Sequence, residues 1–207
     1  MRRPPAHSRF WILVFAVSSW AAPPIAAQDT YVWNNSGSSA AATSWLSPGN
    51  WTGAIATHYP GRVTATNTGN GATDDIAFFS STLPSNTPTA VGINMSSAGS
   101  PAVLQLGAIR FENNARDLLI GNSSTTASGT LQLNGSSVSI AGNQTSNVIF
   151  YNSSSSQSLT VQNTAVGGSR TMDLSLAVSN GIIYANVGST INIATVVSET
   201  GGSNGIT

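Results

Sequence analysis

Between residues 89 and 197, short stretches of alternating apolar and polar residues are separated by patches rich in Asn, Gly and Ser. Alternation over a few residues places every apolar side chain on one face of a strand. Asn, Gly and Ser tolerate the backbone angles of tight turns, so the patches predict turns. The pattern therefore predicts a succession of short β-strands. These are residues 103–106, 131–133, 138–140, 159–161, 172–178 and 191–193.

An all-β fold with this pattern has two candidate architectures. In a right-handed parallel β-solenoid the strands stack in successive rungs. A repeating region with few charges and a distinct terminal unit is typical of this architecture. In an antiparallel β-sandwich the strands are joined by hairpins, and Asn134-Gly135 and Asn180-Gly181 fit hairpin turns. We expect the solenoid. A coil of about 20 to 25 residues predicts roughly four or five coils between residues 103 and 193.

The amino-acid composition changes along the chain. Residues 28–82 hold three tryptophans and several other aromatic residues, and no tryptophan follows them. Because a solenoid needs a terminal unit over its apolar interior, we predict an aromatic-rich N-terminal cap at residues 28–82. Two prolines, which lack a ladder donor, predict a turn or linker at residues 83–88. Residues 89–207 are then solenoid rungs, which we expect to continue beyond the end of the printed sequence.

Residues 1–27 have the layout of a secretory signal peptide. Three arginines precede an apolar run at residues 10–17, and small residues lead to Ala26-Ala27. The apolar run is too short for a membrane span of about 20 residues. No later segment is long and apolar enough to cross a bilayer as a helix. We therefore expect an exported protein without a membrane span in its mature part.

Charge and cysteine content exclude several classes of function. After residue 27 the chain has four arginines, no lysine and seven acidic residues, a formal net charge of −3. Such a chain has no basic surface to attract phosphates, so we expect no nucleic-acid partner. Cysteine is absent, which removes disulfides and thiolate metal sites. Only 7% of residues are charged, yet the regular alternation of apolar residues indicates a folded chain instead of a disordered linker.

Trp33, Trp45 and Trp51 are the candidate ligand-contact residues. Exposed indole rings would form a platform that stacks on sugars, whereas buried rings would form the core of the cap. The buried cluster is the simpler interpretation, and the glycan platform is kept as an alternative.

The sequence offers little support for catalysis. Asp74-Asp75 is the only acidic pair, and adjacent residues of a strand point to opposite faces, so we interpret the pair as a turn or cap element. No Ca²⁺-binding loop surrounds it. His58 is the only histidine after residue 27. The chain has so many Ser and Thr hydroxyls that one of them near His58 would not by itself indicate a catalytic pair. We predict no catalytic residue, no metal site and no cofactor.

Several N-terminal motifs resemble the start of autotransporter-associated β-strand repeat proteins, which are exported by bacteria. The matching segments are Tyr31-Val32-Trp33-Asn34, Ser44-Trp45, Pro48-Gly49-Asn50-Trp51, Pro60-Gly61, Asp74-Asp75-Ile76-Ala77-Phe78 and Ala108-Ile109-Arg110-Phe111. The glycine-rich residues 196–207 resemble the lead-in to the repeat of that family. No complete repeat unit and no C-terminal β-barrel segment is present in the printed sequence.

The resemblance implies a structural or adhesive passenger segment without catalytic activity. It also implies an extracellular location or the outer surface of a Gram-negative-type bacterium, with polysaccharide or cell-surface components as partners. A carbohydrate-binding module that uses Trp33, Trp45 and Trp51 is the alternative function. A polysaccharide-degrading β-helix enzyme is the third possibility, and the absence of lysine disfavours it.

Overall fold

The fold is all-β in the computed structural model, with two short 3-10 turns at Pro48–Asn50 and Met95–Ser97. The structure describes residues 28–34, 43–65, 69–80, 89–112, 116–165 and 167–199. The predicted signal peptide at residues 1–27, the predicted linker at 83–88 and the last residues, 200–207, lie outside the described residues.

The described residues form seventeen strands. In chain order they are β1 (Thr30–Trp33), β2 (Thr43–Ser44), β3 (Trp51–Thr52), β4 (Arg62–Val63), β5 (Ile76–Phe79), β6 (Thr89–Ile93), β7 (Val103–Leu106), β8 (Ala108–Phe111), β9 (Leu118–Asn122), β10 (Gly129–Leu133), β11 (Ser136–Ile140), β12 (Asn143–Asn152), β13 (Ser158–Thr164), β14 (Met172–Leu176), β15 (Ile182–Ala185), β16 (Thr190–Ala194) and β17 (Val197–Glu199). Every alternating stretch in the sequence corresponds to one of these strands, so that prediction is confirmed.

The strands belong to three sheets that the chain visits in a fixed order. Sheet 1 has the order β11-β12-β8-β5-β1-β3, and β15 also pairs with β12. Sheet 2 has the order β16-β13-β9-β6-β2, and sheet 3 has the order β17-β14-β10-β7-β4. From β5 onward the chain passes from sheet 1 to sheet 2 to sheet 3 and then returns to sheet 1. We call one such passage a rung.

Equivalent strands of successive rungs are parallel and in register. In sheet 2, Val91 pairs with Ile120, Ile120 with Val161, and Val161 with Ile193. In sheet 3, a second column of apolar residues consists of Leu104, Leu131, Leu174 and Val197. Most members of these columns are fully buried in one continuous core. The alternation in the sequence thus becomes a set of apolar columns that run from rung to rung.

The rungs are longer than the predicted 20 to 25 residues. Thr89, Leu118, Leu159 and Ile191 hold equivalent positions, so successive rungs contain 29, 41 and 32 residues. The longest rung contains an extra hairpin, formed by β11 and the first half of β12. The prediction of coil length, which used a general repeat length, was wrong because each rung contains at least three strands and the corners that join them.

Antiparallel pairing is confined to three places among the described residues: β1 with β3, β4 with β7, and β11 with β12. The β11–β12 hairpin turns at Ala141-Gly142, where both residues have positive φ. Asn134-Gly135 and Asn180-Gly181 are not hairpin turns. Each links a strand of sheet 3 to one of sheet 1. The positive φ values of Gly135 (+77°) and Asn180 (+57°) let the backbone turn at these corners between sheets.

Buried asparagines close two of the corners. Asn152 donates from Nδ2 to the carbonyl oxygens of Gln157 (3.0 Å) and Thr190 (2.8 Å), and its Oδ1 accepts from the Ser154 amide (3.0 Å). Thr190 belongs to the next rung, so one side chain both shapes a turn and joins two rungs. Asn122 repeats the arrangement with Ala127, Thr171 and Ser124.

Replacing Asn152 with alanine tests this corner. Asn152→Ala removes the side-chain partner of two part-buried carbonyls and one buried amide, at a cost of about 1 to 3 kcal/mol for each group that finds no substitute. We expect the free energy of unfolding to fall by about 2 to 4 kcal/mol in denaturant titrations. The matched control is Asn192→Ala, which removes one exposed side-chain bond of 3.3 Å to Thr160. Equal losses in both variants would contradict a special role for the corner.

Candidate functional site

The three candidate tryptophans lie in the core of the N-terminal region. Trp33 is in β1, Trp51 is in β3, and Trp45 lies in the turn after β2. Their exposed fractions are 1%, 3% and 0%. The ring centroids of Trp33 and Trp51 are 4.8 Å apart, and those of Trp45 and Trp51 are 5.0 Å apart, with edge-to-face geometry in both pairs. Phe79 packs against all three rings.

Polar bonds hold two of these indoles in place. The Trp45 Nε1 donates to the carbonyl of Pro60 (3.0 Å), and the Trp51 Nε1 donates to the carbonyl of Trp45 (2.8 Å). A ring that stacks on a sugar must present one open face to solvent, and rings with these exposures do not present one. The arrangement supports the interpretation as a buried cap core and argues against the glycan platform.

Asp74 and Asp75 do not converge on one point. Asp75 is fully buried, and its Oδ2 accepts from the amides of Gly61 (3.1 Å) and Ala72 (2.7 Å). The carbonyl of Asp74 accepts from the Ser136 hydroxyl (2.6 Å), which attaches β11 to the cap. Both residues therefore tie separate segments of the fold together, in agreement with the predicted cap role.

The Asp75 carboxyl is in an unusual environment. Burial raises its pKa from 3.8 to about 6, although the backbone donors at Gly61 and Ala72 oppose the shift. The carboxylate is also packed tightly, because a Cβ on Gly71 would lie only 2.0 Å from its Oδ2. Only glycine fits at that position, so the carboxyl beneath it requires Gly71.

His58 lines an open cleft of about 380 Å³ beside Asp75. The other residues of the lining are Asp29, Tyr31, Ile55, Arg62, Asn70, Gly71 and Ala72. Burial, with a smaller effect of Asp75 and Asp29, raises the pKa of Tyr31 to about 12, so its hydroxyl is a very weak acid and stays protonated at neutral pH. Among the described residues, no three His, Cys, Asp or Glu side chains are grouped so that they could hold a metal ion.

Asn70 is one residue of this cleft that the sequence did not single out. Its Oδ1 accepts from the Tyr59 hydroxyl (2.7 Å) and the Val63 amide (3.1 Å), and its Nδ2 donates to the Ala65 carbonyl (3.2 Å). The side chain therefore organises the cap loop instead of facing a ligand. The adjacent glycine was the signal in the sequence, since Asn-Gly marks a turn.

A row of aromatic and charged side chains on the outer face of sheet 1 was also missed. Phe78, Arg110, Tyr151 and Tyr184 occupy one in-register row across four strands. The Arg110 Cζ lies 4.5 Å from the Phe78 ring centroid and 5.9 Å from that of Tyr151. The rings of Tyr151 and Tyr184 stack at 5.1 Å. Arg110 also pairs with Glu112 two residues along the chain, not across rungs.

The ring faces in this row mostly cover one another, so the row joins rungs as the apolar columns do. Cation–π contacts and stacked rings each contribute about 0.5 to 1.5 kcal/mol at such positions. Sequence reasoning missed the row because its members are 32 to 41 residues apart, and no local pattern connects them.

No protein-family model, no curated protein and no solved structure matches this chain. Within the part of the chain that the structure describes, no helix is long and apolar enough to cross a membrane. The arguments on function below therefore depend on the geometry of the chain itself.

The buried tryptophans predict a specific fluorescence response. In a variant with Trp11→Phe and Trp20→Phe, all tryptophan emission comes from Trp33, Trp45 and Trp51. We expect a blue-shifted emission maximum and weak quenching by iodide, because the three rings are shielded from solvent. Soluble polysaccharides should leave the spectrum unchanged. Strong quenching that a polysaccharide suppresses would restore the carbohydrate-binding hypothesis.

Asp75 predicts a stability that depends on pH. Its pKa is about 6 in the folded chain and 3.8 in the unfolded reference, so the folded state holds the proton more tightly. The contribution of Asp75 to the free energy of unfolding is therefore full below pH 4, declines as the pH rises to about 6 and is then constant. The total change is about 3 kcal/mol.

The variant Asp75→Asn should remove this dependence because its side chain stays neutral. Denaturant titrations at pH 4 and pH 7 give the free energy of unfolding of the wild type and of the variant. Between these two pH values the wild type should lose about 3 kcal/mol relative to the variant. Asp74→Asn is the matched control, because it removes the neighbouring carboxylate and leaves Asp75 in place. A difference that does not vary with pH would contradict the assignment.

Proposed function

We propose that this chain is a secreted or cell-surface structural or adhesive segment, built as a right-handed parallel β-solenoid and without catalytic activity. Autotransporter-associated β-strand repeat proteins are the family that we propose for it. The observation that carries the proposal is the fixed passage of the chain through three sheets with parallel, in-register strands in successive rungs. Repetition of this kind is typical of solenoids, in which each rung contacts only its neighbours.

The polar groups of the candidate sites support a structural role. The Asp75 Oδ2, the Asn70 side chain and the indole nitrogens of Trp45 and Trp51 all bond to the protein itself. A catalytic or ligand site keeps some of its polar groups free for substrate, in a pocket that gathers them. In this chain the same groups hold the cap loop against the first rungs.

The closed N-terminal region supports a solenoid that begins at the cap. Sheets 1 and 3 each end there in a short antiparallel strand, β3 and β4. Terminal units of a different structure cover the apolar interior in solenoid proteins. Short strands at a sheet edge also offer few backbone groups to another chain.

Surface labelling of intact cells tests export and display. Because the chain has no cysteine, Gln144→Cys in the exposed part of β12 gives a single thiol. We expect a maleimide that is too large to cross the outer membrane to label this thiol on intact bacteria that express the protein. The matched control is Leu131→Cys, whose position is fully buried and should react only after denaturation. Labelling of Gln144→Cys only after cell lysis would contradict surface display.

A further inference from the structure

Four polar side chains around the cleft in the N-terminal cap are not used by the fold. They belong to Asp29, Tyr31, His58 and Arg62, and no tryptophan is among the lining residues. Within the described part of the chain, none of these four side chains makes a hydrogen bond or an ion pair. We call this surface the cap cleft. Free polar groups that converge on one concave surface are typical of ligand sites.

Tyr31 is the buried member of this set. Its exposed fraction is 1%, and that of Tyr59, another buried tyrosine of the cap, is 0%. The Tyr59 hydroxyl donates to the Asn70 Oδ1 (2.7 Å), as the hydroxyl of a buried tyrosine usually does. The Tyr31 hydroxyl has no such partner among the described residues, and its side chain lines the cap cleft. Its hydrogen bond is therefore left for a molecule in the cleft.

The surrounding strands hold the Tyr31 side chain in place. β1 lies between β3 and β5, and Tyr31 pairs with Ala77 of β5. Gly53 packs directly against the ring, since a Cβ on Gly53 would lie only 2.3 Å from the Tyr31 Cδ1. A group that is fixed before binding loses little conformational entropy in the complex. The hydroxyl is thus prearranged for a ligand.

The hydrogen-bonding groups of the cap cleft are mixed in type and in charge. The Asp29 carboxylate only accepts and the Arg62 guanidinium only donates, whereas the Tyr31 hydroxyl can do both. Asp29 and Arg62 carry opposite charges, so a ligand with a net charge is repelled by one of them. Hydroxyl groups both donate and accept. The cleft therefore favours a neutral ligand that carries several hydroxyls.

Size and an apolar side chain narrow the ligand class further. The volume of about 380 Å³ is near the lower limit of small-molecule sites, which is about 300 Å³. Ile55 is one of the lining residues and is 44% exposed, so it offers an apolar surface to the C–H groups of a ring. A small, neutral ring with several hydroxyls and an apolar face is a sugar residue.

We propose that the cap cleft binds a single neutral sugar residue of a glycan, with the Tyr31 hydroxyl bonded to a sugar hydroxyl. The proposal rests on the adhesive role in the proposed function and names the ligand class for it. This site is separate from the tryptophan platform, because it uses no indole ring.

Saturation-transfer difference NMR with the purified protein tests the proposal. The probes are the methyl glycosides of glucose, galactose, mannose and N-acetylglucosamine, with acetate and ethylammonium as charged probes. We expect at least one methyl glycoside to bind and neither charged probe to bind. A protein that binds none of the four glycosides, or that binds a charged probe instead, would overturn the proposal.

Tyr31→Phe removes the hydroxyl and keeps the ring. We expect this variant to bind the glycoside about tenfold more weakly, because one hydrogen bond is lost. The matched control is Tyr184→Phe, which removes a hydroxyl from the outer face of sheet 1 and should leave the affinity unchanged. Equal affinity of Tyr31→Phe and the wild type would assign binding to another surface and would overturn the proposal.

The unfolding midpoint in denaturant tests the free hydroxyl without any ligand. Tyr31→Phe should keep the midpoint of the wild type, whereas Tyr59→Phe should lower it, because Asn70 then loses a partner. A similar loss in both variants would show that the Tyr31 hydroxyl supports the fold, against the proposal. Binding by the purified protein does not depend on export, so these tests and the labelling test of the proposed function can fail separately.

Discussion

Parallel, in-register pairing between equivalent strands of successive rungs is the constraint on which the rest of this structure depends. Because each strand lies directly over its equivalent, a side chain meets the side chain at the same position of the next rung. An apolar position must then stay apolar, as in the column of Leu104, Leu131 and Leu174. The same stacking repeats the asparagine corner at Asn122 and Asn152 and aligns the outer row of Phe78, Arg110, Tyr151 and Tyr184.

The N-terminal end of this stack differs from the rungs that follow it. At the N-terminal end, large rings replace the aliphatic columns, and Asp75 and Asn70 hold a loop across the first rungs. The buried Asp75 carboxyl makes the contribution of this end to the free energy of unfolding depend on pH. In the following rungs the columns are aliphatic, with Ile193 and Val197 as their last described members.

The sequence predicted the strands well because their alternation is local. The stretches at 103–106, 159–161 and 191–193 each lie within a strand, since two-residue periodicity needs no information from elsewhere in the chain. The rung length and the corners were predicted poorly. Asn134-Gly135 has the composition of a hairpin turn, but it links two different sheets, and the hairpin is made at Ala141-Gly142 instead. Composition identifies a turn, whereas the partner of each strand depends on the whole stack.

The sequence by itself determined that the chain is all-β, that its aromatic residues gather at one end, and that Asp74-Asp75 belongs to turn structure. These features follow from local periodicity and composition. Only the tertiary structure decided that Trp33, Trp45 and Trp51 face inward and that Asn152 joins two rungs. It also decided that Phe78, Arg110, Tyr151 and Tyr184 form one row. The reason is physical: burial and contact are properties of neighbours that are distant along the chain, and the pairing and stacking of strands bring those neighbours together.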